Sequence, residues 1–430
     1  MSPSSSEFVS TIVLTRVWMN SGDTFKAFLG FYSGSSVLGM NRPAILGHLF
    51  PFGELSLDLR LLCVSNFIGA FGDGLFVYIL PNYIRGLEAT SADVGLLFSL
   101  LSLTTALTII PGGFLADRFD RKKIMILGWL VWAPLPLAFS LASHWSQLIV
   151  PMCLYGALLS GPAISAYVAT TTSRERMTLT FTSLSASWSL GYIFSPAFGG
   201  YLASFVGMRW VFFLGFVFYS IATGVLFFVR SQHGSESIKL EEASGTSTFP
   251  MRRLILLSLF FAAATFSLSL VRPLVVQFFN DIFALNNSQI GILGSVTFFG
   301  WTIFSIQLGR LGDRRDKMIA VAASLLMASV SFSLLISSGF FPSLILASFL
   351  SGATFPVWAL MNACISALAP ETSRGRWISL SQVTVTFAAF AAPYLGGVLY
   401  ENSPYTPFYL VIIVTPIIAV LGLTRPFRQT

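Results

Sequence analysis

The sequence predicts an all-α integral membrane protein, with twelve spanning helices in two parallel six-helix halves around a central cavity. Three observations predict it. Hydrophobic residues make up 54% of the 430-residue chain and charged residues only 10%, with a mean hydropathy of +0.77. Apolar runs of about 20 residues, the length that crosses a bilayer as a helix, recur along the chain. A set of short motifs appears twice, in the same order, at offsets of 196 to 200 positions.

The first observation sets the solvent. Soluble domains are roughly a quarter charged, so this chain lacks the polar residues to coat a water-exposed surface. In lipid, backbone groups must be satisfied internally, which leaves helices and closed barrels. The runs do not alternate as barrel strands do, so helices follow. The net charge of +7 comes from basic residues between apolar runs, where they orient the chain rather than bind nucleic acid. Cys63, Cys153 and Cys364 lie inside apolar segments without disulfide or zinc spacing, far from His48, His144 and His233. They read as small buried hydrophobes, and neither a metal nor a cofactor is expected.

The elements follow in order. Residues 1–56 hold Ser-rich stretches and short apolar patches broken by Arg16, Lys26 and Arg42. They read as a cytoplasmic tail without a signal-peptide pattern, with Met40 as an alternative start. Spans are expected near 59–83, 92–116, 124–143, 146–170, 178–204 and 209–229, forming a first half over 57–229. Residues 230–253 are polar, carry no helical stripe and read as a cytoplasmic linker. Spans near 254–280, 288–312, 317–338, 342–368, 376–400 and 405–424 form the second half, before a tail at 425–430. With both termini inside, the outer loops carry only Arg85 and Arg209. That asymmetry puts both ends in the cytoplasm.

The repeat sets the architecture. Gly113-Phe-Leu-Ala-Asp117-Arg118-Phe-Asp120-Arg121 follows the second span, and Gly309-Arg-Leu-Gly-Asp313-Arg314-Arg-Asp316-Lys317 follows the eighth. Thr172-Ser-Arg174-Glu-Arg176 precedes the fifth span as Thr372-Ser-Arg374-Gly-Arg376 precedes the eleventh. Pro196-Ala-Phe-Gly199-Gly200 matches Pro393-Tyr-Leu-Gly396-Gly397. Three matches in register imply homologous halves. Six spans is an even number, so the halves are parallel and can rock against each other about a central site.

Gly113-x-Leu115-Ala116-Asp117-Arg118-x-x-Arg121-Lys122 closely resembles the loop signature of the major facilitator superfamily, placed between spans two and three with a degenerate copy between eight and nine. Asp120 and Asp316 stand where that family usually has glycine. The resemblance covers roughly residues 57–424. It implies that Gly113, Asp117, Arg118, Arg121, Gly309, Asp313 and Arg314 form a cytoplasmic latch that engages in one conformation and releases in the other. Side-chain-free Gly113 and Gly309 would let helices approach where a gate shuts. Gly191-Tyr-Ile-Phe-Ser195-Pro196-Ala-Phe-Gly199-Gly200 is similar to the span-five motif of the drug:proton antiporter branch, with Ser195 replacing a glycine. That branch commonly has an arginine in span four, which is absent here. Gly191, Pro196, Gly199, Gly200, Pro393, Gly396 and Gly397 are expected to bend helices at the interface of the halves.

Ionisable residues inside a bilayer are costly and mark function. Of eighteen acidic residues only Asp73 lies well inside a span, and of twenty-five basic residues only Arg272. Asp73 sits about 20 Å up span one from Arg60, and Arg272 about 13 Å below Asp281 on span seven, at 1.5 Å per residue. Helical spacing groups Asn66, Gly69 and Asp73 on one face, Thr265, Ser269 and Arg272 on another, and Thr354, Trp358 and Asn362 on a third. These stripes are the expected cavity lining. Asp73 is the expected proton carrier, because apolar surroundings favour a neutral acid and a nearby cation such as Arg272 an ionised one.

No phosphate-binding loop for a primary pump occurs in the sequence, and one membrane carboxylate without histidine does not make an intramembrane enzyme. The expected function is secondary transport of a small molecule by alternating access: proton-coupled efflux of amphipathic drugs or metabolites leads, with proton-coupled uptake of a metabolite or organic anion, or a transporter-like sensor, as alternatives. The expected partners are the small-molecule substrate, protons and membrane lipid, for a monomer in the plasma membrane.

Overall fold

A computed structural model describes residues 55–173, 177–232, 251–337, 339–369 and 374–424. Most of the expected N-terminal tail and linker, the C-terminal tail, Arg174, Arg176 and the side chains of Arg374 and Arg376 lie outside the described residues. Among those described, ten helices are long and apolar enough to cross a membrane. The 30-residue helix Met177–Val206 and the shorter apolar Thr406–Gly422 complete the expected order of spans.

The first half comprises α1 (Leu57–Val77, resuming as Leu80–Arg85), α2 (Ser91–Arg118), α3 (Arg121–Trp132, then Leu135–Leu141), α4 (Ile149–Gly156, then Ser160–Thr171), α5 (Met177–Val206) and α6 (Met208–Leu226). The second comprises α7 (Met251–Val271, then Leu274–Phe283), α8 (Asn287–Arg314), α9 (Lys317–Ser337), α10 (Phe341–Ser351, then Pro356–Leu368), α11 (Arg374–Ala389, then Ala392–Asn402) and α12 (Thr406–Gly422). Large apolar side chains such as Leu141, Phe205 and Phe228 are exposed, as they can be where lipid tails are the solvent.

Local chemistry repeats between the halves. Thr90 and Asp93 form a capping box that starts α2, and Asn286 and Gln289 form its counterpart at α8. Each satisfies helix N–H groups that would otherwise lack partners. Asp120 accepts from the Lys122 amide at 2.9 Å and Asp316 from the Met318 amide at 2.7 Å. These aspartates cap the following helices, which is a physical use for them where the family motif has glycine. The break in α1 at Tyr78–Ile79 recurs in α7 at Arg272–Pro273. Pro196 lies inside continuous α5, whereas Pro393 begins the second segment of α11 after a break.

The halves cross where α5 meets α8 and α2 meets α11. Glycine pairs set these crossings. A methyl group on Gly199 would strike the Leu75 backbone within the first half, while one on Gly200 would strike Asn287 and Gly291 across the interface. Gly396 and Gly397 repeat the division, facing Leu270 within the second half and Ser91 and Ala92 across it. Backbones approach this closely only where side chains are absent.

Candidate functional site

A cavity of about 460 Å³ lies between the halves. Its walls are mostly apolar and rich in aromatic rings, with a smaller number of polar groups, as small-molecule sites usually are. Asp73 and Arg272 both line it, from α1 and α7.

The sequence around Asp73 places its carboxyl. Flanking Gly72 and Gly74 let α1 sink against Phe218 of α6 and Ser195 of α5. Asp73 is then 5% exposed and receives three hydroxyl hydrogen bonds, from Tyr155 of α4, Tyr192 of α5 and Tyr219 of α6. Tyr155 and Tyr192 also line the cavity, while Tyr219 is fully buried behind them. Three donors satisfy the acceptor capacity that a buried carboxylate must fill.

Arg272 is arranged differently. Its guanidinium lies over the Phe355 ring, 5.0 Å from the centroid, and its side chain is open to the cavity. Asp73 and Arg272 therefore share one cavity without forming the ion pair that their depths suggest. The tyrosines on α4, α5 and α6 reach the carboxyl from its own half and occupy it.

At one end of the bundle the cavity is closed. Asn82 donates to Asn287 at 2.9 Å, Ser91 to Gln277 at 2.8 Å, and the Ala92 amide to Glu401 at 2.9 Å, all across the halves. Arg85 and Asp281 add an ion pair at 3.9 Å. The opposite, basic end carries the repeated loops. There Asp117, Arg118, Asp313 and Arg314 are exposed, and no atom of the described residues lies within 4 Å of a methyl group placed on Gly113 or Gly309.

The Major Facilitator Superfamily model matches residues 62–280 and again 255–429. The chain belongs to the major facilitator superfamily. Multidrug resistance protein 2 of Bacillus subtilis (strain 168) is 25% identical over 389 residues, covering 86% of this chain and 95% of the relative. Quinolone resistance protein NorA of Staphylococcus aureus is 24% identical over 372 residues, covering 83% and 94%. These relatives agree with the resemblance to the drug:proton antiporter branch carried by span five. Among solved structures, the nucleoside transporter NupG matches with a TM-score of 0.68 at 14% identity, covering 85% of this chain and 98% of that one. A bacterial homolog of the human lysosomal transporter Spinster matches at 0.64 with 16% identity, covering 86% and 98%. Both likenesses are of fold. The protein is a multi-pass membrane transporter of this superfamily, not an enzyme.

Within this superfamily fold, Asp73, Ser269, Arg272 and Thr354 line the cavity, and Asn66, Thr265, Trp358 and Asn362 do not. Asn66 is buried, on the face where Gly69 packs against Trp129 of α3. Thr265 lies one turn below Ser269, because a stripe defines a face and not the depth of a cavity. The stripe on span ten fails for a local reason. Thr354 ends a 3-10 turn, Gly352–Thr354, and the α-helix restarts at Pro356, so the spacing that joins Thr354 to Trp358 does not apply. Trp358 is exposed, and Asn362 accepts from Gln382 at 3.1 Å.

Arg121 also departs from the latch reading. It is buried and donates to Ala166, Thr170 and Gln232, at 3.2, 2.7 and 3.1 Å. It ties α3 to α4 and to the chain beyond α6, all within one half. The tyrosines around Asp73 were not singled out from sequence. Their signal was position, since tyrosine favours membrane interfaces and these three sit in mid-span. Tyr192 even lies inside the span-five motif.

Proposed function

We propose that this transporter exports amphipathic drugs or metabolites by alternating access, driven by protons entering through Asp73. The supporting observation is the placement of that residue. Asp73 is the one carboxyl group among the described residues lining the cavity, and hydroxyls from three helices of its own half hold it. A change in how the halves meet would alter what the cavity presents to this carboxyl. Changed surroundings shift the balance between its neutral and ionised forms, which couples proton movement to the conformational cycle.

The basic end faces the cytoplasm of a plasma-membrane protein by the distribution of Lys and Arg. The described conformation is then open inward, with the loops at Gly113 and Gly309 disengaged. Closing that end brings Asp117, Arg118, Asp313 and Arg314 into latch contacts, while Gly200 and Gly397 separate from their partners. The units that rock are residues 57–229 and 254–424, joined by 230–253, and one chain contains the whole cavity. The names of the resistance-protein relatives favour export.

The test is transport in proteoliposomes under an imposed pH gradient, with wild type and Asp73→Asn compared. Gradient-driven movement that Asp73→Asn loses, in a protein that still folds, is the expected result. Full retention of uphill transport by Asp73→Asn would remove Asp73 from the coupling.

A further inference from the structure

Once Asp73 is satisfied by tyrosines, the cavity contains one charged group without a protein counter-charge. Arg272 has five N–H donors. No carboxylate or carbonyl among the described residues accepts from them, and the guanidinium lies over the face of Phe355. An arginine inside a membrane protein ordinarily pairs with an acid or with backbone carbonyls, because an uncompensated charge at that depth is costly. Here the side chain instead projects into the cavity from the break between Val271 and Leu274. The equivalent break in α1 presents Tyr78, whose hydroxyl bonds Thr297 at 3.3 Å. The guanidinium is thus the charged group that the described residues of the site leave without a counter-charge.

Its surroundings define the rest of a ligand. Phe355 stacks with Trp301, their centroids 4.8 Å apart and their planes 23° from parallel. Phe298 lies 5.7 Å from Phe355 and 4.7 Å from Tyr192. These rings form an apolar aromatic cluster of their own around the cavity. Ser269 and Thr354 add hydroxyls near the same wall. A flat apolar surface beside a cation fits a molecule with an aromatic body and an anionic head. A cationic amphiphile meets the reverse arrangement. Asp73, the one acidic group among the described residues lining the cavity, already has its oxygens occupied by three hydroxyls, and Arg272 would repel a cation.

We infer that the cavity takes aromatic amphiphiles bearing a carboxylate or similar anion, with Arg272 as the group that binds the anionic head. This rests on reading the cavity as the substrate site. Arginine binds carboxylates through paired, charge-assisted hydrogen bonds that are stronger than neutral ones. An amide of the same shape loses that advantage.

The experiment measures calorimetric binding of three matched probes to the purified full chain in lipid nanodiscs. They are biphenyl-4-carboxylate, biphenyl-4-carboxamide and 4-phenylbenzylammonium. Wild type is expected to bind the carboxylate about tenfold or more tighter than the amide, with the ammonium weakest. In Arg272→Gln the ratio of carboxylate to amide affinity should fall close to one, while Arg272→Lys keeps part of it. If Arg272→Gln does not fold, the wild-type ranking and Arg272→Lys decide. Equal or tighter binding of the ammonium, with binding still weakened by Trp301→Ala, overturns the anion assignment and leaves the cavity as the substrate site. Absence of binding by all three probes, or binding indifferent to Trp301→Ala, overturns both readings.

Discussion

Replacing Gly200 by alanine should move the conformational equilibrium, whereas replacing its neighbour Gly199 should not. The added methyl at Gly200 falls 2.9 Å from the Gly291 Cα and even closer to the Asn287 carbonyl oxygen, across the interface of the halves. Both are backbone atoms, so no side chain can swing aside. Overpacking of this kind costs about 1–3 kcal/mol. That cost exists only while α5 and α8 are in contact, so it shifts the equilibrium by about 5- to 150-fold away from the described conformer. Alanine's helix-propensity gain of about 0.5–1 kcal/mol applies in both conformers and cancels. At Gly199 the clash is with Leu75 of the same half. It persists as the halves rock, lowering thermal stability without moving the equilibrium. Among the described residues, no atom lies within 4 Å of a methyl group built on Gly113 in this conformer. A methyl there costs nothing now and obstructs closure of the basic end, so Gly113→Ala should shift the equilibrium the other way.

Ser91→Cys supplies the assay. Ser91 is 2% exposed at the crossing of α2 with α11, bonded across the interface to Gln277. A thiol there is modified by a water-soluble maleimide only when this end opens. Cys63 and Cys364 are buried, and half-buried Cys153 can be replaced by Ser. The modification rate should rise at least fivefold in Gly200→Ala, stay level in Gly199→Ala and fall in Gly113→Ala. A rise in Gly199→Ala equal to that in Gly200→Ala, or no change in any variant, would refute the division of labour between the two glycines.

Two further outcomes follow from side chains outside the cavity. Arg121→Ala removes three hydrogen bonds from a buried guanidinium, so it should lower unfolding stability by about 2 kcal/mol or more. A thermal melt matching wild type would show that Arg121 is not the tie described. Asp281→Asn should have a small effect, because the Arg85–Asp281 pair is long and partly exposed. Such pairs are worth about 0–1 kcal/mol, so a change of more than about tenfold in the Ser91→Cys modification rate would mean that this pair does far more to hold the end shut.

The amino-acid sequence determined the solvent, the helical class, the order of spans and the two-fold repeat. It did so because hydropathy, run length and motif spacing are local properties that the bilayer turns directly into structure. It also singled out Asp73 and Arg272, since a charge in an apolar run stands out without any fold. Tertiary structure alone decided what those charges meet. Tyr155, Tyr192 and Tyr219 lie 82, 119 and 146 positions from Asp73, and no helical period links them to it. The failed stripe from Thr354 to Trp358 shows the same limit within one span, where a 3-10 turn resets the helix phase. The division between Gly199 and Gly200 is likewise tertiary. Adjacent residues point about 100° apart on a helix of 3.6 residues per turn, and only the packing of two halves makes one direction internal and the other an interface.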